Sequence, residues 1–345
     1  MTSANGLPKI AIEEAYEHPD VVRSHLSQDE ASLRKLAESL GQTPEYYRKA
    51  QELLPDFDKR LEVMDAAGIE HQIISLTSPG IQGVIDPAEA TAEARRQNDF
   101  LAKEVSQHPD RFSGFAAVAL QEPDQAVAEL RRSVRDLGFK GVLVNGYTNE
   151  GDPAHGRYLD DPVYYPFWEA LSELDVPLYL HPRPPLSAVS SLYDGHNEMV
   201  GAVWGFATET ASHAVRLLLS GHFDRFPTSK LILGHMGEGL PGMLWRVQTE
   251  YDMTTLRKIK KSLAEYFADN IWITTSGYFS DQALHNVLLT VGADHILFSV
   301  DYPYMEPSRD ATSADAVKWI ERTAISELDR RKIAYGNARA LFGLG

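Results

Sequence analysis

Short β-rich runs alternate with longer segments of helical period along the whole chain. Eight runs read as strands, at 9–16, 71–76, 112–120, 140–146, 176–182, 230–236, 271–277 and 295–303. Between them, Asp86-Pro87 supplies a cap and a first-turn proline for a helix over 86–107. A second amphipathic segment, 124–138, ends on Gly138, a stop signal. Segments 161–174, 202–219, 281–291 and 314–323 carry the same period.

Eight strands alternating with helices, with no break in composition, predict one (β/α)8 barrel domain over residues 1–345. A doubly wound open sheet is the competing architecture. It would place a glycine-rich phosphate loop after the first strand, where this chain reads Glu13-Glu14-Ala15-Tyr16. Two stretches interrupt the alternation: a helical insertion at 27–54, and 149–197, rich in Pro, Tyr and Asp. Loops that follow barrel strands build the C-terminal rim, so these insertions are expected to form walls or a lid there.

Composition narrows the chemistry. Cysteine is absent, which removes disulfides, thiolate zinc sites, iron–sulfur clusters and cysteine nucleophiles. Any metal must therefore be held by carboxylates and by some of the 12 histidines. The net charge of −16 argues against nucleic acid or an anionic membrane as a partner. No apolar run approaches the ~18 residues of a membrane span. The start, MTSANGLPKI, does not read as a secretory leader, so a cytoplasmic enzyme is expected. Neither a G-x-S-x-G elbow nor a P-loop occurs.

The chemically informative residues sit at strand ends. Glu13-Glu14, His181, His235 and Asp301 close the first, fifth, sixth and eighth strands, and a barrel gathers those ends on one rim. By alternation, Ile10 and Ile12 packing outward would turn Ala11, Glu13 and Ala15 toward the axis. Tyr179 with His181, and Ser299 with Asp301, follow on the same reasoning. Each group alone could be a helix cap or a hydrogen-bonded structural residue. Together they are costly to bury unpaired, and a shared divalent cation is the simplest compensation. His235 and Glu238, three apart in GHMGEG, suit an imidazole oriented for proton transfer. Among the aromatics Trp204, Phe206, Tyr278, Phe279 and Tyr304, Phe279 and Tyr304 are the candidates to line an aromatic-substrate pocket.

Several fragments occur together in a specific order: Ile12-Glu13-Glu14-Ala15, Leu180-His181-Pro182-Arg183, Gly234-His235-Met236-Gly237-Glu238, Thr274-Thr275-Ser276-Gly277 and Phe298-Ser299-Val300-Asp301-Tyr302-Pro303. In this the chain resembles the amidohydrolase-related, metal-dependent hydroxybenzoate decarboxylases, from about Lys9 to Phe342. The resemblance implies metal ligands at Glu13, His181 and Asp301, and a catalytic imidazole–carboxylate pair at His235 and Glu238. It also implies a substrate arginine at Arg246, which in some members reaches a neighbouring subunit's site, and hence a homotetramer or homodimer. One departure is clear. Hydrolytic members of the wider superfamily, and some decarboxylases, carry a histidine two residues after the first carboxylate, and here that residue is Ala15. The remaining oxygen-rich set suits one Mn²⁺, Mg²⁺ or Zn²⁺ ion.

The expected activity, on that resemblance, is non-oxidative, reversible decarboxylation of an ortho-hydroxybenzoate with no organic cofactor. The 2,6-dihydroxybenzoate is favoured, then 2,3-dihydroxybenzoate or salicylate, and Asp301 is the candidate proton donor. A mononuclear lactone or amide hydrolase is the alternative, and a non-catalytic aromatic-acid-binding barrel is a third reading. Because the substrate is an anion and the chain is acidic, the cation with Arg183 and Arg246 is expected to reverse the local field.

Overall fold

The computed structural model describes residues 6–308 and 311–345. Its parallel strands are β1 (Ile10–Tyr16), β2 (His71–Leu76), β3 (Phe112–Gly114), β4 (Val142–Asn145), β7 (Leu178–His181), β8 (Leu231–Leu233), β9 (Ile271–Thr274) and β10 (Ile296–Leu297). Two further strands, β5 (Thr148–Glu150) and β6 (Asp152–Arg157), make an antiparallel hairpin.

The parallel ladders run β1-β2-β3 and β4-β7-β8-β9-β10. An Ala116–Val142 bridge joins the two sets in parallel. The remaining gap, between β10 and β1, is closed by one backbone bond, Ala15 N–H to Tyr302 O at 2.7 Å, and by side chains. Ser299 Oγ accepts from the Glu13 N–H at 2.7 Å and donates to Glu14 Oε1 at 2.9 Å. The result is the expected (β/α)8 barrel, with a seam made largely of side-chain bonds.

Two hydrophobic layers form around this wall. Ile10, Ile12, Ile73, Phe115, Leu143, Tyr179, Ile232 and Leu297 pack together inside, where Phe342 of the terminal helix Asn337–Phe342 meets Phe115 at 5.6 Å between ring centroids. Leu178, Leu180, Phe298 and Val300 belong to the outer layer shared with the helices, as alternation predicts. On β1 the expected parity is reversed: Ile10 and Ile12 lie inside, and Ala11 lies outside. Glu13 nevertheless joins the site at the rim. The pairing of β1 with β2 slips between Ala11 and Glu14, so two residues of β1 face one of β2. A bulge of this kind re-aims the next side chain, which is how Ile12 and Glu13 come to share a side.

The helical expectations are met by Pro87–Gln107, Pro123–Arg135, Tyr165–Leu174, Gly205–Leu219, Asp281–Val291 and Ser313–Arg322. The first insertion contains Glu30–Ser39, capped by Asp29, and Pro44–Leu53, capped by Thr43. They enclose a small core of Leu33, Ala37 and Tyr47. This insertion leans on the second: a Cβ on Gly41 would meet Asn197 O at 3.1 Å. No helix among the described residues is long and apolar enough to cross a membrane.

Candidate metal centre

Glu13 is the hub. Its Oε1 lies 3.4 Å from His181 Nε2 and 3.3 Å from His235 Nε2, yet it makes no hydrogen bond, although the residue is only 3% exposed. Asp301 Oδ2 stands 3.8 Å from the same His235 nitrogen. Ligand atoms of Glu13, His235 and Asp301 all fall within 4.8 Å of one another. His181 approaches the cluster through Glu13.

The backbone is strained to achieve this. His235, Met236 and Glu238 have φ of 48°, 57° and 56°, and Asp301 has φ of 75°. Non-glycine residues rarely occupy this left-handed region, and a run of them needs a surrounding structure that over-determines it. Gly234 and Gly277 admit the carboxylates: a Cβ at Gly234 would stand 2.8 Å from Glu13 Oε2, and one at Gly277 would stand 3.0 Å from Asp301 Oδ2. Gly234→Ala should therefore displace Glu13 and weaken metal binding while leaving the helices intact. Metal titration alongside circular dichroism checks both halves of that expectation.

Electrostatics separate the two imidazoles. Burial, helped by the neighbouring His235, lowers the His181 pKa to about 3, so its ring is neutral. Its Nδ1 donates to Asn145 Oδ1 at 2.7 Å; the Asn145 amide itself points to the carbonyls of Leu76 and Thr77. That arrangement leaves the His181 Nε2 lone pair facing Glu13, as a metal ligand requires. Burial disfavours a charge on His235 too, but Glu13 and Glu238 outweigh it and hold its pKa well above the usual value. Its Nδ1 bonds Glu238 Oε1 at 2.7 Å. Burial also raises the Asp301 carboxyl, against the pull of His235. Glu13 is pushed up to about 8, chiefly by burial and partly by Asp301 and Glu238, with His235 opposing.

These donors fit a divalent cation. A buried carboxylate oxygen makes no hydrogen bond, a neutral imidazole presents its lone pair to it, and a second carboxylate stands nearby. Oxygen donors with one imidazole match Mn²⁺ or Mg²⁺ chemistry as well as Zn²⁺.

The other predicted residues are distributed unevenly. Tyr304 reaches the rim, with its hydroxyl bonded to Thr77 Oγ1. Burial raises its pKa, and the Asp301 charge adds to the shift. The backbone oxygen of Tyr304 accepts from Tyr46 Oη at 2.7 Å. Tyr46, on the inserted helix Pro44–Leu53, also feels the Asp301 charge, and sequence reasoning missed it. The Thr43-Pro44 start signal marks that helix, but nothing local indicates where it docks. Phe279 packs against Trp319 at 5.9 Å between centroids, within the outer layer. Arg183 lies over the Tyr147 ring at 3.9 Å and donates to Gln82 O, Tyr147 O and Asn149 Oδ1, so its guanidinium is committed to the wall. Arg246 is exposed on Leu240–Asp252 and pairs with Glu250 at 3.3 Å.

An amidohydrolase family model matches residues 25–344. The γ-resorcylate decarboxylase of Rhizobium sp. (strain MTP-10005) is 46% identical over 341 residues, covering 97% of this chain and 98% of the relative. A solved 2,6-dihydroxybenzoate decarboxylase complexed with 2,6-dihydroxybenzoate aligns with a TM-score of 0.88 at 44% identity, over 98% of this chain and all of that one (100%). The dihydroxybenzoic acid decarboxylase of Polaromonas sp. JS666, solved with bound manganese and the inhibitor 2-nitroresorcinol, aligns with a TM-score of 0.88 at 41% identity, covering 98% of each chain. With its barrel, its rim cluster and a family match across nearly its whole length, the chain belongs to the amidohydrolase family.

Proposed function

We propose that the protein is a metal-dependent carboxy-lyase that removes CO₂ from 2,6-dihydroxybenzoate without oxidation, with 2,3-dihydroxybenzoate and salicylate as poorer substrates. The observation that carries this reading is Glu13 Oε1, a buried acceptor with no hydrogen bond, set between two imidazoles, one neutral and one charged. The relatives named above share the chain's length and fold and act on this class of acid.

Glu13, His181 and Asp301 would hold the ion, Mn²⁺ being favoured by the manganese in the Polaromonas structure. When bound, a divalent ion supplies the charge that anchors the substrate's carboxylate and adjacent phenolic oxygen. The chain's own groups then handle one proton. Burial favours the protonated Asp301 carboxyl and a bound ion its ionised form, so Asp301 would carry the proton only in passing, from His235 to the ring carbon bearing the carboxylate. The bond from that carbon to the carboxylate breaks, CO₂ leaves, and the bonding pair returns to the ring. His235, charged and held by Glu238, stands with Nε2 3.8 Å from Asp301 to restore its proton. The overall change is substrate anion plus one proton to resorcinol plus CO₂, so no organic cofactor is required.

Exposed Trp245 and Arg246 on Leu240–Asp252 support a homodimer or homotetramer in which Arg246 serves a neighbouring copy. The decisive experiment for the reaction is turnover in D₂O. Resorcinol sampled early should carry deuterium at the former carboxyl position. Product without that label defeats ring protonation, and lactone hydrolysis without CO₂ would favour the hydrolase instead.

A further inference from the structure

Glu14 is a fully buried carboxylate that the proposed chemistry leaves without a task. Its environment is nonetheless highly organised. Oε1 accepts from Ser299 Oγ at 2.9 Å and from the Val300 N–H at 3.0 Å. Oε2 accepts from the Tyr302 N–H at 3.0 Å and, on the outer side, from Gln72 Nε2 at 3.4 Å. Val300 and Tyr302 are the two neighbours of Asp301. The carboxylate thus brackets the one residue of that turn whose φ, 75°, is unfavourable for a side chain. In the opposite direction, the Ser299 hydroxyl that donates to Glu14 accepts the Glu13 N–H at 2.7 Å. One side chain is therefore tied to both acidic members of the cluster: to Asp301 through its flanking amides, and to Glu13 through Ser299.

The seam explains why a charged group stands here. Between β10 and β1 the barrel wall carries few backbone bonds, and amides left unpaired at that depth would be costly. Two carboxylate oxygens offer enough lone pairs for three donors from the segment after β10 and one from β2. A glutamine has the same shape but replaces one oxygen by an N–H₂ group, which would then face a donor whichever way it turned.

We propose that Glu14 is a positioning residue that fixes the separation of Glu13 and Asp301, and so sets the metal affinity of the site without touching the ion. The proposal rests on the metal-site reading above. Its test begins with Mn²⁺ titration of the unaltered protein, because failure to bind there defeats the site reading and not the role of Glu14. Glu14→Gln should bind Mn²⁺ about tenfold or more weakly. At saturating Mn²⁺ it should also show an altered electron paramagnetic resonance spectrum and a lower kcat, with KM little changed. Simple loss of stability would lower Tm and leave the spectrum of the folded, loaded protein as it was. Gln72→Met removes the outer contact to Glu14, together with the Arg60 Nη1 bond to Gln72 Oε1 at 3.3 Å, and should keep the affinity within twofold. If Glu14→Gln does not fold, Ser299→Ala is read in the same way, with several-fold weaker binding expected. A folded Glu14→Gln, or failing that Ser299→Ala, with unaltered affinity and spectrum overturns the proposal.

Discussion

Asp301→Asn should lower kcat for 2,6-dihydroxybenzoate by about 10³-fold, within the range for losing a positioned general acid. That corresponds to roughly 4 kcal/mol of transition-state stabilisation. The substitution is a clean one for a structural reason. Asp301 sits at φ 75°, and asparagine tolerates the left-handed region as readily as aspartate, so the turn and its Glu14 bracket should persist. The shape of the side chain is kept, while its capacity to carry the transferred proton is lost. CO₂ release under saturating substrate and Mn²⁺ measures the effect, with metal content determined in parallel. A variant that is fully loaded and turns over within tenfold of the unaltered enzyme would remove Asp301 from the role of donor.

Complete loss of turnover on chelation, reversed by added Mn²⁺, is the second large effect expected. It should carry a characteristic pH dependence. Without an ion, burial pushes the Glu13 carboxyl up to about 8, so protons compete with the ion for it near neutral pH. An ion entering below that value must displace the proton, because ligating carboxylates are ionised. Apparent metal affinity should therefore rise with pH toward about 8 and level off above it. Calorimetry at pH 7 in buffers of different ionisation enthalpy should show about one proton released per ion. Affinity that is flat from pH 6 to 8, with no proton released, would show that Glu13 is already ionised before the ion enters.

Much of the barrel was legible because its signals are local. Each of the eight parallel strands starts within two residues of its expected start, and Asp86 caps its helix as the Asp-Pro pair suggests. Several expected runs overshoot the hydrogen-bonded ladder; the third continues as buried chain from Phe115 to Leu120 after the ladder ends at Gly114. The hairpin at Thr148–Arg157 was missed because its second strand alternates in exposure without a hydrophobic face, so period-2 patterning is silent there. The inward placement of Glu13 was reached through a parity that β1 does not follow. Only the register with β2 reveals the bulge, and register is a property of two strands rather than one.

At the site, residues recognisable by type and spacing came together: Glu13, His181, His235, Glu238 and Asp301. Residues whose part depends on distant packing did not yield to the same reasoning. Arg183 looked like an anion receptor, but its donors meet carbonyls of loops that only the folded chain brings near. Phe279 looked like a pocket wall and packs, partly buried, against the outer core beside Trp319. Tyr46 is the converse case, an ordinary helical tyrosine made relevant by an insertion folding over the rim.

The seam between β10 and β1 has a consequence for how the protein is made. Glu13 lies on the strand synthesised first, and Asp301 follows the one synthesised last, with the whole barrel between them. A growing chain can order its early strands and helices as they emerge, yet it has no ion-binding centre until the final turn is delivered. Early fragments should therefore be blind to manganese. Because an ion held by both ends favours the closed form over any open one, the loaded cation also acts as a clasp on the finished barrel.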